Sequence, residues 1–205
     1  MNEKVERLNE IKKRIALCRA CPLYKGRKNT VPGEGPADAP ILLIGEAPGR
    51  EEDETGRPFV GMAGRFLTDM LREAGVPRGS VFITSVIKCR PPGNRNPKAE
   101  EIKACRGFLL EQIEVIRPSV VVIMGNVALT SLRKVWNLPE GGVGEVRGRV
   151  YDVEDFHTIV TFHPAGVMRD RIKKRPLFVS DIKTAREIAV KERGRNWAVR
   201  RLGDF

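Results

Sequence analysis

Residues 119–135 read SVVVIMGNVALTSLRKV. The first half is a short run of apolar, mostly β-branched residues with no polar alternation. That is the pattern of a strand buried on both faces of a parallel sheet. Gly125 ends the run, and NVALTSLRKV then predicts a short helix. A strand handing over directly to a helix is the repeating unit of α/β folds.

The same unit recurs outward in both directions. Residues 3–17 predict a helix with Val5, Leu8, Ile11 and Ile15 on one face. APILLIGEAPG opens with a buried strand, Ile41 to Ile44, that breaks at Gly45. GMAGRFLTDMLREAG predicts an amphipathic helix carrying Met62, Phe66, Met70 and Ala74, stopped by Gly75 and Pro77. VFITS is a second strand. In NPKAEEIKACRGFLLEQIEVI, Asn96 is the expected N-cap, with Pro97 at the first helical position and Glu100 and Glu101 at the positive end of the dipole. TIVTFHP is a fourth strand, after which Ser180 is expected to cap a final basic helix. The expectation is one α/β domain over residues 1–205. It is a three-layer α/β/α sandwich around a four-stranded parallel sheet, with a basic helix and tail from residue 180. Sites in such sheets form beyond the carboxyl ends of the strands. That selects four loops: GEAPG, TSVIKC, MGN and HPAGVMR.

Lys and Arg outnumber Asp and Glu by 37 to 26, a net charge of +11. This favours a polyanionic partner, nucleic acid first. A heavily charged thermostable surface is the plainer reading, but such surfaces usually balance Glu against Lys. No apolar run reaches the roughly 20 residues that span a bilayer, and the charged N-terminus has no signal-peptide core. A cytoplasmic, nucleoid-associated monomer without membrane contact is expected.

Cys18 and Cys21 form a C-x2-C pair, and fifteen residues separate Cys89 from Cys105. Disulfides are disfavoured in an intracellular chain. One tight pair rather than two argues against structural zinc, and four loosely spaced cysteines suit an iron–sulfur cluster at least as well. Spacing alone does not separate iron from zinc, and four unrelated buried thiols remain an alternative.

GEAPGREEDETGRPFVGMAGRFL (45–67), CRPPGNRNP (89–97) and HPAGVMR (163–169), with the four cysteines, resemble family 4 uracil-DNA glycosylase, the iron–sulfur type of archaea and thermophilic bacteria. The resemblance runs from about Cys18 to Lys183. It implies the uracil-DNA glycosylase-like four-stranded sheet and a structural 4Fe–4S cluster on Cys18, Cys21, Cys89 and Cys105. It also implies hydrolysis of the uracil–deoxyribose bond in single- or double-stranded DNA. The product, an abasic site, enters base excision repair, where a sliding clamp or downstream repair enzymes are candidate partners.

A glycosylase must flip its base into a pocket. Phe59, between glycines and a proline, is the expected stacking face. His163, directly after a strand, is expected to donate to uracil O2 as charge develops there. Gly45, Glu46 and Ala47 wrap the first loop, which is neither a dinucleotide nor a P-loop fingerprint. In the best-known uracil glycosylases an aspartate at the place of Ala47 positions water. Its absence implies dissociative cleavage with less dependence on a general base. Glu46, Glu52 and His163 are the catalytic candidates, and Asp53 is a further acidic candidate. Solvated surface acids are the plain alternative for Glu52 and Asp53. Ser85 stands where the family usually carries asparagine, so base reading falls to Ser85 with water, to Asn94, or to the backbone. In HPAGVMRDRIKKRP, Val167 and Met168 are apolar wedge candidates beside the DNA-binding cations Arg169, Arg171, Lys173 and Lys174, followed by Arg175. Two other readings stand beside the glycosylase: a non-catalytic, metal-stabilised nucleic-acid-binding protein, and a glycosylase for another deaminated base.

Overall fold

A computed structural model describes residues 3–193. Its helices are α1 (Glu3–Leu17), α2 (Arg50–Thr55), α3 (Met62–Glu73), α4 (Ala99–Ile116), α5 (Asn126–Arg133), α6 (Val143–Val146), α7 (Pro164–Arg169) and α8 (Arg171–Arg193). Its strands are β1 (Ile41–Gly45), β2 (Phe82–Ser85), β3 (Val120–Met124), β4 (Val150–Val153) and β5 (Phe156–Thr161). They form one sheet in the order β2-β1-β3-β5-β4.

The four expected strands are β1, β2, β3 and β5, and they pair in parallel. The fifth corrects the four-stranded expectation: β4 adds antiparallel to β5 through a two-residue turn, Val153 opposite Phe156. Its residues, VYDV, are largely exposed at the sheet edge. They therefore carry no apolar run to mark them as a strand. At the other edge Glu34 makes an isolated antiparallel bridge to Ile83.

The pleat divides the core. Leu42, Ile44, Val121, Ile123 and Val160 face one way, against Leu109, Ile113 and Ile116 of α4 and Leu129 and Leu132 of α5. Ile41, Leu43, Val120, Val122, Met124 and Ile159 face the other way, against Leu67, Met70 and Leu71 of α3 and Phe178, Ile182 and Ala185 of α8. Alternation by two along each strand thus produces the three-layer sandwich. Helix α1 lies outside α4, burying Ile11 and Ile15 against Val115, with Arg14 paired to Glu111 at 2.6 Å.

Two boundaries and one buried face differ from expectation. Helix α4 begins at Ala99 after an N-cap at Lys98, not at Asn96. Extended backbone continues to Lys98, where the Glu101 side chain caps the helix by accepting Lys98 N–H at 2.8 Å. Helix α8 begins at Arg171 and runs through Pro176, so Ser180 is an interior residue. Met62 does not join the buried face of α3 and is 64% exposed. The basic tail expected after Arg193 lies outside the described residues. Among the described residues, no helix is long and apolar enough to cross a membrane.

Candidate active site

The carboxyl ends of β1, β2 and β5 open onto a cavity of about 590 Å³. Glu46, Ala47, Glu52, Phe59, Ser85, Asn94 and His163 all line it, as do Arg95, Asn96 and Arg169. One expected contact is absent from the lining: Gly45 lies behind Phe59. A Cβ there would come within 2.4 Å of the ring, so glycine at this position makes room for the aromatic side chain. Gly64 does the same for the Phe59 backbone, 1.9 Å from the carbonyl oxygen.

Phe59 is nearly buried and adopts φ 51°, the left-handed region. A Cβ-bearing aromatic residue occupies that region only when its surroundings impose it. Glu52 is one of the groups that impose it. Its Oε1 accepts the Val60 and Gly61 N–H groups, each at 2.8 Å, and its Oε2 accepts Gly49 N–H at 3.1 Å. Glu52 is one of the expected catalytic candidates, and its carboxylate lines the pocket. Three backbone amides occupy that carboxylate and tie it to the loop that carries Phe59. Asp53 is buried and pins Lys28 N–H at 3.0 Å.

Glu46 is different. Its carboxylate has no partner among the described residues, and desolvation in the pocket wall raises its pKa.

His163 is the N-cap of α7, and its ring centroid lies 5.8 Å from that of Phe59. Nδ1 accepts the Ala165 N–H at 3.2 Å. That bond leaves the proton of the neutral ring on Nε2, which is then a donor. Desolvation, assisted by the nearby Arg169 charge, lowers the His163 pKa to about 4. The imidazole is therefore neutral near pH 7. Gly125, at φ 93°, lets the backbone beneath His163 approach, since a Cβ there would meet His163 Cβ at 2.8 Å.

Ser85 is buried at the pocket floor, and its hydroxyl has no partner among the described residues. Its carbonyl accepts Lys88 Nζ at 2.8 Å. Lys88, only 1% exposed, also donates to Thr84 Oγ1 at 2.6 Å and Gln112 Oε1 at 2.8 Å. Burial lowers its pKa to about 8. The sequence reading passed over Lys88 because a lysine beside a cysteine reads as surface. Asn94 is held at φ 56°, and its Oδ1 accepts Arg90 Nε at 2.6 Å.

The wedge expectation fails for Val167, which is 0% exposed and belongs to the core. HPAGVMR is a helix rather than an open loop, so positions 164 and 167 face inward together. Met168 is partly buried against the same cluster. The exposed apolar residue is instead Ile172, 91% accessible, between Arg171 and Lys173. Arg171 lies 5.0 Å over the Phe66 ring. Lys174 lies 5.4 Å over Phe162 and 4.0 Å from Asp170. Arg175 pairs with Glu73 at 2.8 Å.

All four cysteines line a second, smaller cavity between α1, α4 and the loop after β2. Cys89 Sγ accepts Arg27 Nη1 at 3.2 Å, and Cys105 accepts the Lys88 backbone N–H. Burial pushes the Cys105 thiol up to about 11. Among the described residues, no three His, Cys, Asp or Glu side chains are arranged to hold a single metal ion. The donor set is all sulfur, with N–H groups directed at two of the four atoms. An all-sulfur donor set is the chemistry that thiolate-ligated iron–sulfur groups use.

A pocket roomy enough for an extruded base at the carboxyl rim of a parallel sheet, walled by an aromatic ring and a neutral imidazole, is the architecture of a nucleobase-excising fold. The sequence profile of the Uracil DNA glycosylase superfamily matches residues 32–185, and the chain belongs to that family. It is similar to the type-4 uracil-DNA glycosylase of Archaeoglobus fulgidus, 42% identical over 92% of this chain and 96% of the relative. It is similar also to that of Thermotoga maritima, 44% identical over 94% of this chain and 100% of the relative. Similarity to the type-5 uracil-DNA glycosylase of Pyrobaculum aerophilum is lower, 32% identity over 69% of this chain and 67% of the relative.

Proposed function

We propose that this protein excises uracil from DNA by hydrolysing its N-glycosidic bond. The observation that carries this reading is the Phe59–His163 pair, 5.8 Å apart in one pocket, with the histidine tautomer fixed. Phe59 stacks on the flipped base. His163 donates from Nε2 to O2 as the uracil departs with negative charge, a donor aimed at charge that develops only in the transition state. Glu46, unpaired in the wall, is the carboxyl group placed to balance the cationic sugar and orient water. No lysine lines the pocket among the described residues. The reading is therefore of simple hydrolysis that ends at the abasic site. Arg169, Arg171, Lys173 and Lys174 hold phosphates, and Ile172 replaces Val167 and Met168 as the wedge that fills the gap in the duplex.

Base reading divides between two residues. A hydroxyl donates or accepts, so Ser85 alone does not separate a 4-oxo from a 4-amino group. With Asn94 Oδ1 taken by Arg90, its Nδ2 remains a donor, and a donor favours the 4-oxo group of uracil. The same permissive hydroxyl supports a second reading, removal of a deaminated purine, which a panel of modified bases distinguishes.

Cys18, Cys21, Cys89 and Cys105 would hold a 4Fe–4S cluster, which supplies structural cross-linking rather than electron transfer. The reading is supported by the shared cavity and the all-thiolate donor set. Purified protein is expected to be yellow-brown, with a broad band near roughly 400 nm. A colourless protein with stoichiometric zinc would refute the cluster.

The deciding experiment is a duplex carrying one uracil, incubated with protein and then treated with alkali. Strand cleavage after alkali alone is expected. Tight binding without base release would instead indicate a non-catalytic DNA-binding protein.

A further inference from the structure

We infer that Arg78, outside every motif of the pocket, is the positioning residue that holds Phe59 in its stacking conformation. This rests on the reading that Phe59 stacks on the base. The left-handed backbone of Phe59 is gripped from both sides by groups of opposite charge. After it, Glu52 holds the Val60 and Gly61 amides. Before it, the Pro58 carbonyl accepts Arg78 Nη2 at 2.7 Å.

The same guanidinium ties two other pieces of the fold to that carbonyl. Nη2 reaches Glu34 Oε1 at 3.1 Å, and Nη1 reaches Thr68 Oγ1 on α3 at 3.2 Å. Thr68 Oγ1 in turn donates at 3.1 Å to the carbonyl of Gly64, whose missing Cβ admits the Phe59 backbone. Glu34 is itself fixed to the sheet by reciprocal backbone bonds to Ile83, at 3.0 and 2.8 Å. Arg57 Nε holds the other oxygen of Glu34 at 2.9 Å. With its side chain 20% exposed, Arg78 is shielded enough for these charge-assisted bonds to fix geometry. A planar fork serves three acceptors in different directions, which a lysine ammonium on a flexible stem does not reproduce.

The test compares wild type, Arg78→Ala, Arg78→Lys and Glu34→Gln in three measurements: uracil excision, inhibition by free uracil, and affinity for a duplex holding an abasic site. In Arg78→Ala, excision and uracil inhibition should both weaken, roughly tenfold or more for a displaced ring. Affinity for abasic DNA should be unchanged. Arg78→Lys and Glu34→Gln keep a polar group in place and should fall between, so the series is informative even if Arg78→Ala fails to fold. Unchanged uracil inhibition in all three variants, with a wild type that excises uracil, overturns the role of Arg78. So does a parallel loss of uracil inhibition and abasic-DNA affinity. A wild type that neither excises uracil nor is inhibited by it overturns the stacking reading itself, and the inference with it.

Discussion

The Ala165 amide decides what His163 can do. By occupying Nδ1, it leaves a single donor, Nε2–H, to face the pocket. Replacing His163 with Ala removes that donor and should lower kcat by about 10²–10³-fold, with affinity for uracil-containing DNA largely kept. Single-turnover rates and a binding titration check both halves. With its pKa lowered to about 4, His163 should give the rate no inflection between about pH 5 and 8. Any acid limb should belong to Glu46, whose pKa is raised by desolvation. It should therefore lie above the usual carboxylate range and disappear in Glu46→Gln, as a pH–rate profile will show. Stability follows the opposite logic. Folding keeps the imidazole neutral, while the unfolded chain binds a proton below its own pKa of about 6.5. This residue's contribution is thus lost as pH falls from about 6.5 towards 4. Denaturant midpoints for wild type and His163→Gln across that window should converge on the acid side.

Helices α7 and α8 separate packing from binding within a few residues. Val167→Ala opens a void in the core and should cost about 1–3 kcal/mol of stability without changing DNA affinity. Ile172→Ser should do the reverse, leaving the melting temperature in place and weakening excision from duplex more than from single strands. Thermal melts and paired activity assays distinguish them. The sequence showed the apolar residues of HPAGVMR but not which of them were inside. The proline and glycine suggested an open loop, whereas Pro164 at the first helical position starts a turn that carries Val167 inward. Strands β1, β2, β3 and β5 were legible because burial on both faces demands unbroken apolar runs. β4 was not, because an edge strand makes no such demand. Residue type, loop position and, for Ser85 and Asn94, the family resemblance pointed to Phe59, Ser85, Asn94 and His163, and all four line one cavity. The occupied state of the Glu52 carboxylate and the burial of Lys88 depend on contacts between segments distant in sequence, which no local pattern records.

For the molecule as a whole, the proposed cluster would connect α1 to the loop after β2 and to α4, beside the small packing of Ile11 and Ile15 against Val115. Cys105→Ser should bleach the roughly 400 nm band and free the N-terminal segment first. Limited proteolysis near residues 18–27 should therefore accelerate before the rest of the fold melts. The net charge of +11 makes DNA affinity a counterion problem: log affinity should fall linearly with log salt, and Lys173→Ala should reduce the slope by about 1.

The margins of the sheet carry one more implication. On one side the strap through Glu34 covers β2 by a reciprocal pair of backbone bonds to Ile83. On the other, β4 is only four residues long, carries Asp152 and gives way to a sharp turn at Glu154, whose φ is 49°. Neither border offers a long, bare ladder of amides to a second chain. Heating or crowding that loosens the helices would still leave a stranger's strand little to zip onto, so precipitation by intermolecular β-pairing is resisted even where local opening is frequent.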